Sequence, residues 1–332
     1  MDALKQRHPH LANNVPCDVL RRITSHIKHL DSRESIGVDR NAIEKRVIKY
    51  GKQKSKTSQH VSKIFKGMLD TLMCDGAIHW HRPLVSPFHT KTGRDTSLGA
   101  SLNYIPKDYW PSILKPPDGY AYVLLDYQQQ EPIIAAHLAG CQTLLDWYQD
   151  GDIYECICSA ITGSTLTRNQ AKKLLIAFLY GISVAKLAEQ LQVTTTVVHG
   201  WFTELRRITE PIGKYLNDTA KEIRLSQAVT SLDWRHAVTA QDTNNSLRNW
   251  KIQAMGADIM RRACLGFDAA QIPLLLTNHD SFLVKLPVTK LDDEIKKSVQ
   301  VLQCASTSVL GEIQLKIKVE MVLPTEYSYD YK

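Results

Sequence analysis

Two apolar segments that carry an aspartate constrain this chain more than any other feature. GYAYVLLD covers residues 119–126, and IPLLLTNHDSFLVKLP covers residues 272–287 with a polar turn at its centre. Short apolar runs bounded by Gly, Pro and Asn predict buried β-strands. A carboxylate at the end of a buried strand is costly unless it is paired or bound to a metal. Asp126 and Asp280 therefore need partners.

Either aspartate alone would be explained by a turn or by helix capping. On strands of one sheet, however, Asp126 and Asp280 could face each other and hold a divalent metal ion. Such oxygen ligands suit Mg²⁺, which takes few carboxylates and completes its shell with substrate phosphates. Two ions of this kind can support an in-line phosphoryl displacement.

A stripe of side chains lies along one predicted helix, TRNQAKKLLIAFLYG. It recurs every four residues and consists of Arg168, Lys172, Ile176 and Tyr180. At ~1.5 Å per residue the stripe is roughly 18 Å long, about the length of an extended nucleoside triphosphate. Cations at one end suit phosphates, and an aromatic ring at the other suits a base. An ordinary amphipathic helix with basic i, i+4 pairs explains the same pattern.

The formal net charge of +7 is concentrated near the N-terminus. Residues 1–72 hold 15 Lys or Arg and 7 Asp or Glu, and the remainder is close to neutral. This asymmetry indicates a polyanionic partner, although a solvated basic helix explains it equally well. Without an apolar run of membrane length or a secretory h-region, we expect a cytoplasmic protein that does not enter membranes. The seven cysteines match no zinc spacing, so we expect them to be reduced and mostly buried.

The remaining pattern predicts an α+β fold. Helices are expected over residues 17–30, 40–73 with a polar break at GKQKSKTSQ, most of 131–223 with a break near Pro211, 246–265 and 289–310. Strands are expected as a hairpin over 224–240 and a half-exposed strand over 313–321. Together with the two aspartate-bearing segments, these would form one mostly antiparallel sheet with residues 151–223 as a helical insertion.

Five segments resemble, in order, the motifs of the family A (Pol I-like) DNA polymerases. They are the TGR segment SPFHTKTGRDTS, motif A as DYQQQEP, motif B as RNQAKKLLIAFLYG, the following helix as LRNWKIQAMGADIMRRA, and motif C as TNHDSF. The DYQQQE spelling is close to the form common in phage members. We therefore identify the chain as similar to the polymerase domain of a phage-type member.

The resemblance implies a role for each matching residue. Asp126 and Asp280 would be the catalytic carboxylates that bind two Mg²⁺ ions, for which Mn²⁺ can substitute. Arg168 and Lys172 would bind the triphosphate of the incoming nucleotide, and Glu131 would be a steric gate against ribose. Gln128, Ile176 and Tyr180 would also contact the nucleotide. The primer–template end would contact Arg94, Gln253, Asn249, His279 and Gly181.

The resemblance also implies a right-hand polymerase architecture with an antiparallel-sheet palm, helical fingers and a short helical thumb. The expected domains are a basic thumb-like segment (1–80), the first part of the palm (81–150), the fingers (151–223) and the second part of the palm (224–332). The thumb-like segment would grip duplex phosphates without sequence preference. Few acidic residues precede the TGR segment, so no exonuclease domain is expected.

The implied activity is template-directed addition of dNTPs to a primer 3′ end by a monomer in a bacterial or infected host cell. Its partners would be primer–template DNA, with a processivity factor or a separate exonuclease as further candidates. Three residues depart from the family pattern: Gln128 replaces Ser, Ile176 replaces Phe or Tyr, and Ser281 replaces the Glu of motif C.

Two alternatives remain open at this level. The HDSF spelling also occurs in single-subunit phage RNA polymerases, which favours an RNA polymerase or primase-like enzyme. Glu131 and the QAMGAD helix favour the DNA polymerase. The second alternative is a catalytically weakened primer–template binding protein that retains the scaffold.

Overall fold

The computed structural model describes residues 33–75, 78–161, 166–232, 234–324 and 326. The chain divides into two compact units. The first unit comprises residues 1–128 and 259–332, and the second comprises residues 129–258.

A four-stranded antiparallel sheet is the centre of the first unit. Its strands are β6 (Tyr120–Tyr127), β9 (Leu274–Asn278), β10 (Ser281–Pro287) and β11 (Ile317–Leu323), in the order β11-β6-β10-β9. The sequence prediction of buried strands at both aspartate-bearing segments is confirmed. The predicted strand at 313–321 begins later, at Ile317.

Both faces of this sheet are covered, which explains why β6 is apolar at nearly every position. On one face, Tyr122 and Leu124 join a buried cluster with side chains from the N-terminal helices. On the other face, the Tyr127 and Phe282 rings pack edge to face with centroids 5.8 Å apart. The Tyr127 hydroxyl also donates to the Leu302 carbonyl at 2.6 Å, on the long helix Leu291–Leu310.

The N-terminal part of the first unit is helical, with small sheets around it. The strand β1 (Ile36–Val38) is followed by α1 (Arg40–Gly51) and α2 (Lys56–Asp70), which are separated at the predicted polar break. The short strands β2 (Met73–Asp75) and β3 (Ile78–His81) pair with each other, and β3 also pairs with β1. A second small sheet pairs β4 (Leu84–Ser86) with β5 (Thr96–Leu98). Phe65 and Met68 of α2 are fully buried, so this basic segment contributes to the core of the first unit.

The second unit is mainly helical. Its helices are α3 (Gln130–Ala139), α4 (Gln142–Asp150), α5 (Ile153–Ala160), α6 (Arg168–Tyr180), α7 (Val184–Leu191), α8 (Thr195–Ile208), α9 (Glu210–Ser226) and α10 (Asn244–Arg248). The helix α11 (Trp250–Ala269) begins in this unit, and α12 (Leu291–Leu310) belongs to the first. Pro211 lies in the first turn of α9, where its missing N–H costs nothing, so the predicted break is confirmed.

Three expectations need correction or remain outside the described structure. The predicted 224–240 hairpin begins later than expected, because residues 224–226 belong to α9. It is also not part of the main sheet: β7 (Ala228–Thr230) and β8 (Arg235–Ala237) form a separate two-stranded sheet, since the local pattern that predicts a hairpin does not specify its distant partners. The six cysteines among the described residues form no disulfide bonds, as expected, but only Cys141 and Cys264 of them are buried. The predicted helix 17–30 lies outside the described residues. The four-part domain assignment stays a prediction.

Among the residues described, no helix has the length and apolar content needed to cross a membrane.

Candidate active site

Backbone pairing brings the two predicted metal-binding aspartates together at one end of the main sheet. Asp126 on β6 lies directly opposite Ser281, the first residue of β10. Asp280 precedes it in a two-residue turn, and its carbonyl accepts a hydrogen bond from the Tyr127 N–H at 3.0 Å. His279 supplies the tight turn by adopting a positive φ of 54°. The register therefore places two carboxylates that are far apart in sequence at adjoining strand ends.

The carboxylate of Asp126 is strongly perturbed. Its side chain is 18% exposed, and burial, reinforced by the negative charges of Asp280 and Glu320, raises the pKa of Asp126 to about 7. Lys107 opposes this shift, since its ammonium donates to Asp126 Oδ2 at 3.3 Å. The same ammonium donates to Glu320 Oε2 at 2.7 Å. The Lys107 ammonium thus links the carboxylates of Asp126 and Glu320 at this end of the sheet.

A β-bulge on the edge strand positions Glu320. On β11, Lys318 and Val319 pair with Asp126 and Leu125, but the next residue to pair is Met321, opposite Leu124. Glu320 is the extra residue. A bulge redirects a side chain that regular pairing would fix. Here it coincides with a carboxylate close enough to share Lys107 with Asp126.

The residues at this end of the sheet fit a Mg²⁺ site that relies on substrate for further ligands. The described part of the chain contains no group of three or more His, Cys, Asp or Glu arranged to hold a metal on its own. Mg²⁺ is typically held by one or two carboxylates plus substrate phosphates. The repulsion between Asp126 and Asp280, and the presence of the Lys107 ammonium between carboxylates, both show that the site favours positive charge.

The predicted stripe lies on the accessible side of α6. Arg168 and Lys172 are exposed, whereas Ile176 and Tyr180 are half-buried. Thr167 and Gln170 form a capping box at the start of this helix. At the other end, Gly181 ends the helix with φ 69°. Local sequence signals therefore fix both ends of the stripe.

The expected gate residue is hydrogen bonded to the end of the stripe. The Tyr180 hydroxyl lies 2.8 Å from one oxygen of Glu131 and 3.0 Å from the other. Glu131 lies in the first turn of α3, where a negative charge also interacts favourably with the helix dipole. The side chain of Asn245 lies against Gly181, and its amide donates a hydrogen bond to the Gly181 carbonyl at 3.1 Å.

The predicted primer–template residues are found in separate elements. Arg94 closes a turn in which its N–H donates to Thr90 Oγ1 at 2.8 Å, while His279 is exposed. Gln253 is half-buried, one helical turn beyond Asn249. Asn249 is 1% exposed, and neither atom of its side-chain amide has a hydrogen-bond partner in the described structure. Direct contact between Asn249 and DNA would require this side chain to become exposed.

Of the nucleotide-side residues, Gln128 lies at the end of β6. Its N–H donates to the Lys316 carbonyl at 2.9 Å, so its backbone is fixed by the approach to β11. The roles assigned to Gln128 and to the other site residues stay predictions.

Sequence reasoning missed three polar residues that interact with individual predicted site residues: Lys107 and Glu320 with Asp126, and Asp152 with Arg168. Lys107 lies in a proline-rich segment, and Glu320 is a polar residue within a segment that predicts a half-exposed strand. Asp152 precedes a helix as an ordinary N-cap. Asp152 accepts a 2.6 Å hydrogen bond from Arg168. The only available sequence signal was for Asp152, since its position before an apolar run is typical of a cap.

The sequence matches a known protein family and several curated proteins. The profile described as DNA polymerase family A matches residues 26–327. DNA polymerase I of Lactococcus lactis subsp. lactis is 27% identical over 281 residues, which are 76% of this chain and 31% of that protein. The DNA polymerase of Mycobacterium phage D29 is 25% identical over 237 residues, which are 67% of this chain and 38% of that protein.

A solved structure shares the fold. It is the POL domain of Pol1 from M. smegmatis in complex with DNA primer-template and dNTP, which matches with a TM-score of 0.75 at 19% identity and covers 96% of this chain and 72% of that one. The α+β right-hand polymerase fold is therefore confirmed. The chain spans less than two fifths of the length of the two curated relatives named above. Because the family profile covers nearly the whole chain, the chain belongs to DNA polymerase family A.

Proposed function

We propose that the chain is a template-directed DNA polymerase that adds dNTPs to a primer 3′ end. The observation that carries the proposal is the juxtaposition of Asp126 and Asp280 at one end of the main sheet, with the pKa of Asp126 raised to about 7. Perturbed carboxylates of this kind are typical of functional sites. The names of the curated relatives, DNA polymerase I and DNA polymerase, support the same activity.

Asp126 and Asp280 would hold two Mg²⁺ ions, and Mn²⁺ would fit the same oxygen ligands. Bound there, the ions would supply activation of the primer hydroxyl and neutralisation of the developing phosphate charge. The residues of the chain prepare the site. Burial keeps the Asp126 carboxylate poorly solvated, so it gains more from a cation than an exposed carboxylate would. Lys107 keeps a cation beside Asp126 and remains anchored to Glu320.

On the nucleotide side, Arg168 and Lys172 would bind the triphosphate. The guanidinium supplies a planar fork, and the lysine supplies a compact charge. Glu131, held by Tyr180, would crowd a ribose 2′ hydroxyl and favour deoxynucleotides. Both assignments follow from matching positions in the motifs, and the residues have the exposure or hydrogen bonding that the roles require.

The RNA polymerase alternative rests on Ser281, which replaces the motif C glutamate. The Ser281 side chain is fully buried, and its hydroxyl donates to the Asn278 carbonyl at 2.8 Å within the turn. Ser281 therefore stabilises the turn that carries Asp280, and the supply of dNTPs or NTPs in the assay below separates the two activities.

A primed-template extension assay with Mg²⁺ tests the proposal, with dNTPs and NTPs supplied separately. Wild type should extend with dNTPs. Asp280→Ala should lower the rate about 1,000-fold or more, because several kcal/mol of charge stabilisation are lost. Asp108→Ala, an exposed aspartate next to Lys107 in sequence, is the matched control and should retain activity. Full activity in Asp280→Ala would refute the two-metal role. No extension by wild type would favour the binding-protein alternative, and faster extension with NTPs would favour an RNA polymerase.

We further propose that the chain is phage-type and monomeric, works on primer–template DNA, and has no exonuclease activity of its own. The DYQQQE spelling of motif A supports the first point. A 5′-labelled primer incubated without dNTPs tests the last: progressive shortening from its 3′ end would contradict it. If the chain has no exonuclease activity, other proteins would supply an exonuclease, and a separate protein could act as a processivity factor.

A further inference from the structure

Asp152 connects three parts of the second unit through its two carboxylate oxygens. Oδ1 accepts hydrogen bonds from the N–H groups of Tyr154 at 2.8 Å and Glu155 at 3.1 Å, which caps α5. Oδ2 accepts from Gln129 Nε2 at 2.8 Å and from Arg168 Nη2 at 2.6 Å. Capping at Oδ1 fixes the carboxylate in space, so its second oxygen presents a rigid acceptor.

These interactions restrain the Arg168 side chain but do not occupy all of its N–H groups. Its guanidinium carbon lies 5.3 Å from the centre of the Tyr154 ring, which covers one face of the group. Its side chain is still 49% exposed. Asp152 bonds one nitrogen, and Glu155 at 3.9 Å is too distant to form a hydrogen bond. The other N–H groups have no acceptor in the described part of the chain and remain available to an anion.

Gln129 extends the restraint to the turn that follows Asp126 in sequence. This residue adopts a left-handed conformation with φ 59° at the start of α3, two positions before Glu131. A glutamine in this conformation is uncommon and needs support from its surroundings. Its side-chain amide finds that support on the same Asp152 oxygen that holds Arg168.

We propose that Asp152 is a positioning residue for nucleotide binding: it pre-orders the Arg168 guanidinium so that its remaining N–H groups are aligned for a triphosphate. The inference rests on the proposed function, in which Arg168 binds that group. Ordering a long arginine side chain costs conformational entropy, and a binding site that meets this cost before the ligand arrives binds more tightly.

A purely electrostatic view predicts the opposite sign. If Asp152 only neutralised Arg168, its removal would strengthen binding of a polyanion. The comparison variant is Glu155→Gln, which removes an equal charge near Arg168 that makes no hydrogen bond to it. Under the positioning role, the two substitutions should behave differently.

The main measurement is the Kd of a dNTP in a ternary complex with a dideoxy-terminated primer–template, which involves no chemical step. Asp152→Asn should raise this Kd about tenfold, the size expected when one well-placed charge-assisted hydrogen bond is removed. Glu155→Gln should stay within about twofold of wild type. In steady-state extension, the effect of Asp152→Asn should appear in KM for dNTP while kcat changes little. An unchanged or lower Kd in Asp152→Asn would overturn the inference.

A second variant separates positioning from folding. Asp152→Ser retains a helix-capping oxygen but is too short to reach Arg168. It should unfold at nearly the wild-type temperature and show the same rise in dNTP Kd. A wild-type Kd in this variant would assign Asp152 to capping alone.

Arg168→Ala distinguishes failure of this inference from failure of the proposed function. If Arg168→Ala leaves the dNTP Kd unchanged, the proposed triphosphate contact is wrong. If Arg168→Ala raises the Kd but Asp152→Asn does not, only the positioning role is wrong. With both correct, adding Asp152→Asn to Arg168→Ala should cause no further change, since its effect passes through the guanidinium. A fully additive effect of the two substitutions would contradict the inference.

Discussion

Ionisation of Asp126 should destabilise the metal-free protein, and Asp126→Asn should remove that cost. Burial, with the charges of Asp280 and Glu320, raises the pKa of Asp126 from its ordinary 3.8 to about 7. The folded state therefore holds the proton more tightly than the unfolded state does. The resulting stability is present below pH 3.8 and is lost as the pH rises towards 7. One pKa unit corresponds to about 1.4 kcal/mol, so the ionised carboxylate costs about 4 kcal/mol above pH 7.

Urea denaturation in EDTA measures this effect as a difference between wild type and Asp126→Asn. The difference in free energy of unfolding, variant minus wild type, should increase by about 2–3 kcal/mol between about pH 5 and pH 8.5. Lys107→Met is the matched comparison: without the ammonium that lowers the pKa of Asp126, the decline in stability should continue to higher pH. Adding Mg²⁺ should stabilise wild type and not Asp126→Asn. A difference between wild type and Asp126→Asn that does not change with pH would refute the reasoning.

Three further predictions concern other parts of the molecule. Gly181→Ala should destabilise the protein by about 1–3 kcal/mol in chemical denaturation, because φ is +69° and the new Cβ would lie 2.5 Å from Asn245 Oδ1; Asn245→Ala should restore only part of the stability, and a neutral Gly181→Ala would contradict the argument. Glu131→Ala should increase NTP incorporation relative to dNTP incorporation in single-turnover assays. Tyr180→Phe should have a smaller effect, because it removes the hydrogen bonds but leaves the carboxylate. Equal sugar selectivity in wild type and both variants would exclude a gate. We expect weaker duplex binding for all sequences alike when Gln replaces the exposed Lys45, Lys49, Lys52 and Lys56. The slope of log K against log salt should fall by about 0.9 for each DNA phosphate that is no longer neutralised. An unchanged slope would exclude the thumb-like role.

The elements that carry the predicted site residues were largely predictable because their signals are local. The apolar run before Asp126 predicts a strand regardless of its neighbours, and the observed strand ends one residue later, at Tyr127. The four-residue recurrence from Arg168 to Tyr180 predicts the helical stripe, and Thr167 and Gly181 mark its ends. Hydrogen bonds within a helix or a turn involve residues a few positions apart, so the sequence contains what is needed to predict them.

Strand pairing was less predictable, because it joins distant segments. The pattern of the 224–240 hairpin resembles that of any other hairpin and is compatible with a place in the main sheet, yet among the described residues β7 and β8 pair only with each other. The bulge that directs Glu320 depends on the register between β11 and β6 and leaves no mark in the sequence. Lys107 likewise becomes part of the site only because its loop passes the end of β6.

The sequence by itself determined that two aspartates lie at the ends of buried strands and that a cationic stripe follows one helix, because periodicity and turn residues act over short distances. The tertiary structure alone decided the charge environment of those groups. The pKa of Asp126 depends on burial and on Asp280, Glu320 and Lys107, and the guanidinium of Arg168 is held by Asp152. Electrostatic interactions depend on distances in space and on solvent exposure, and neither is fixed until the chain has folded.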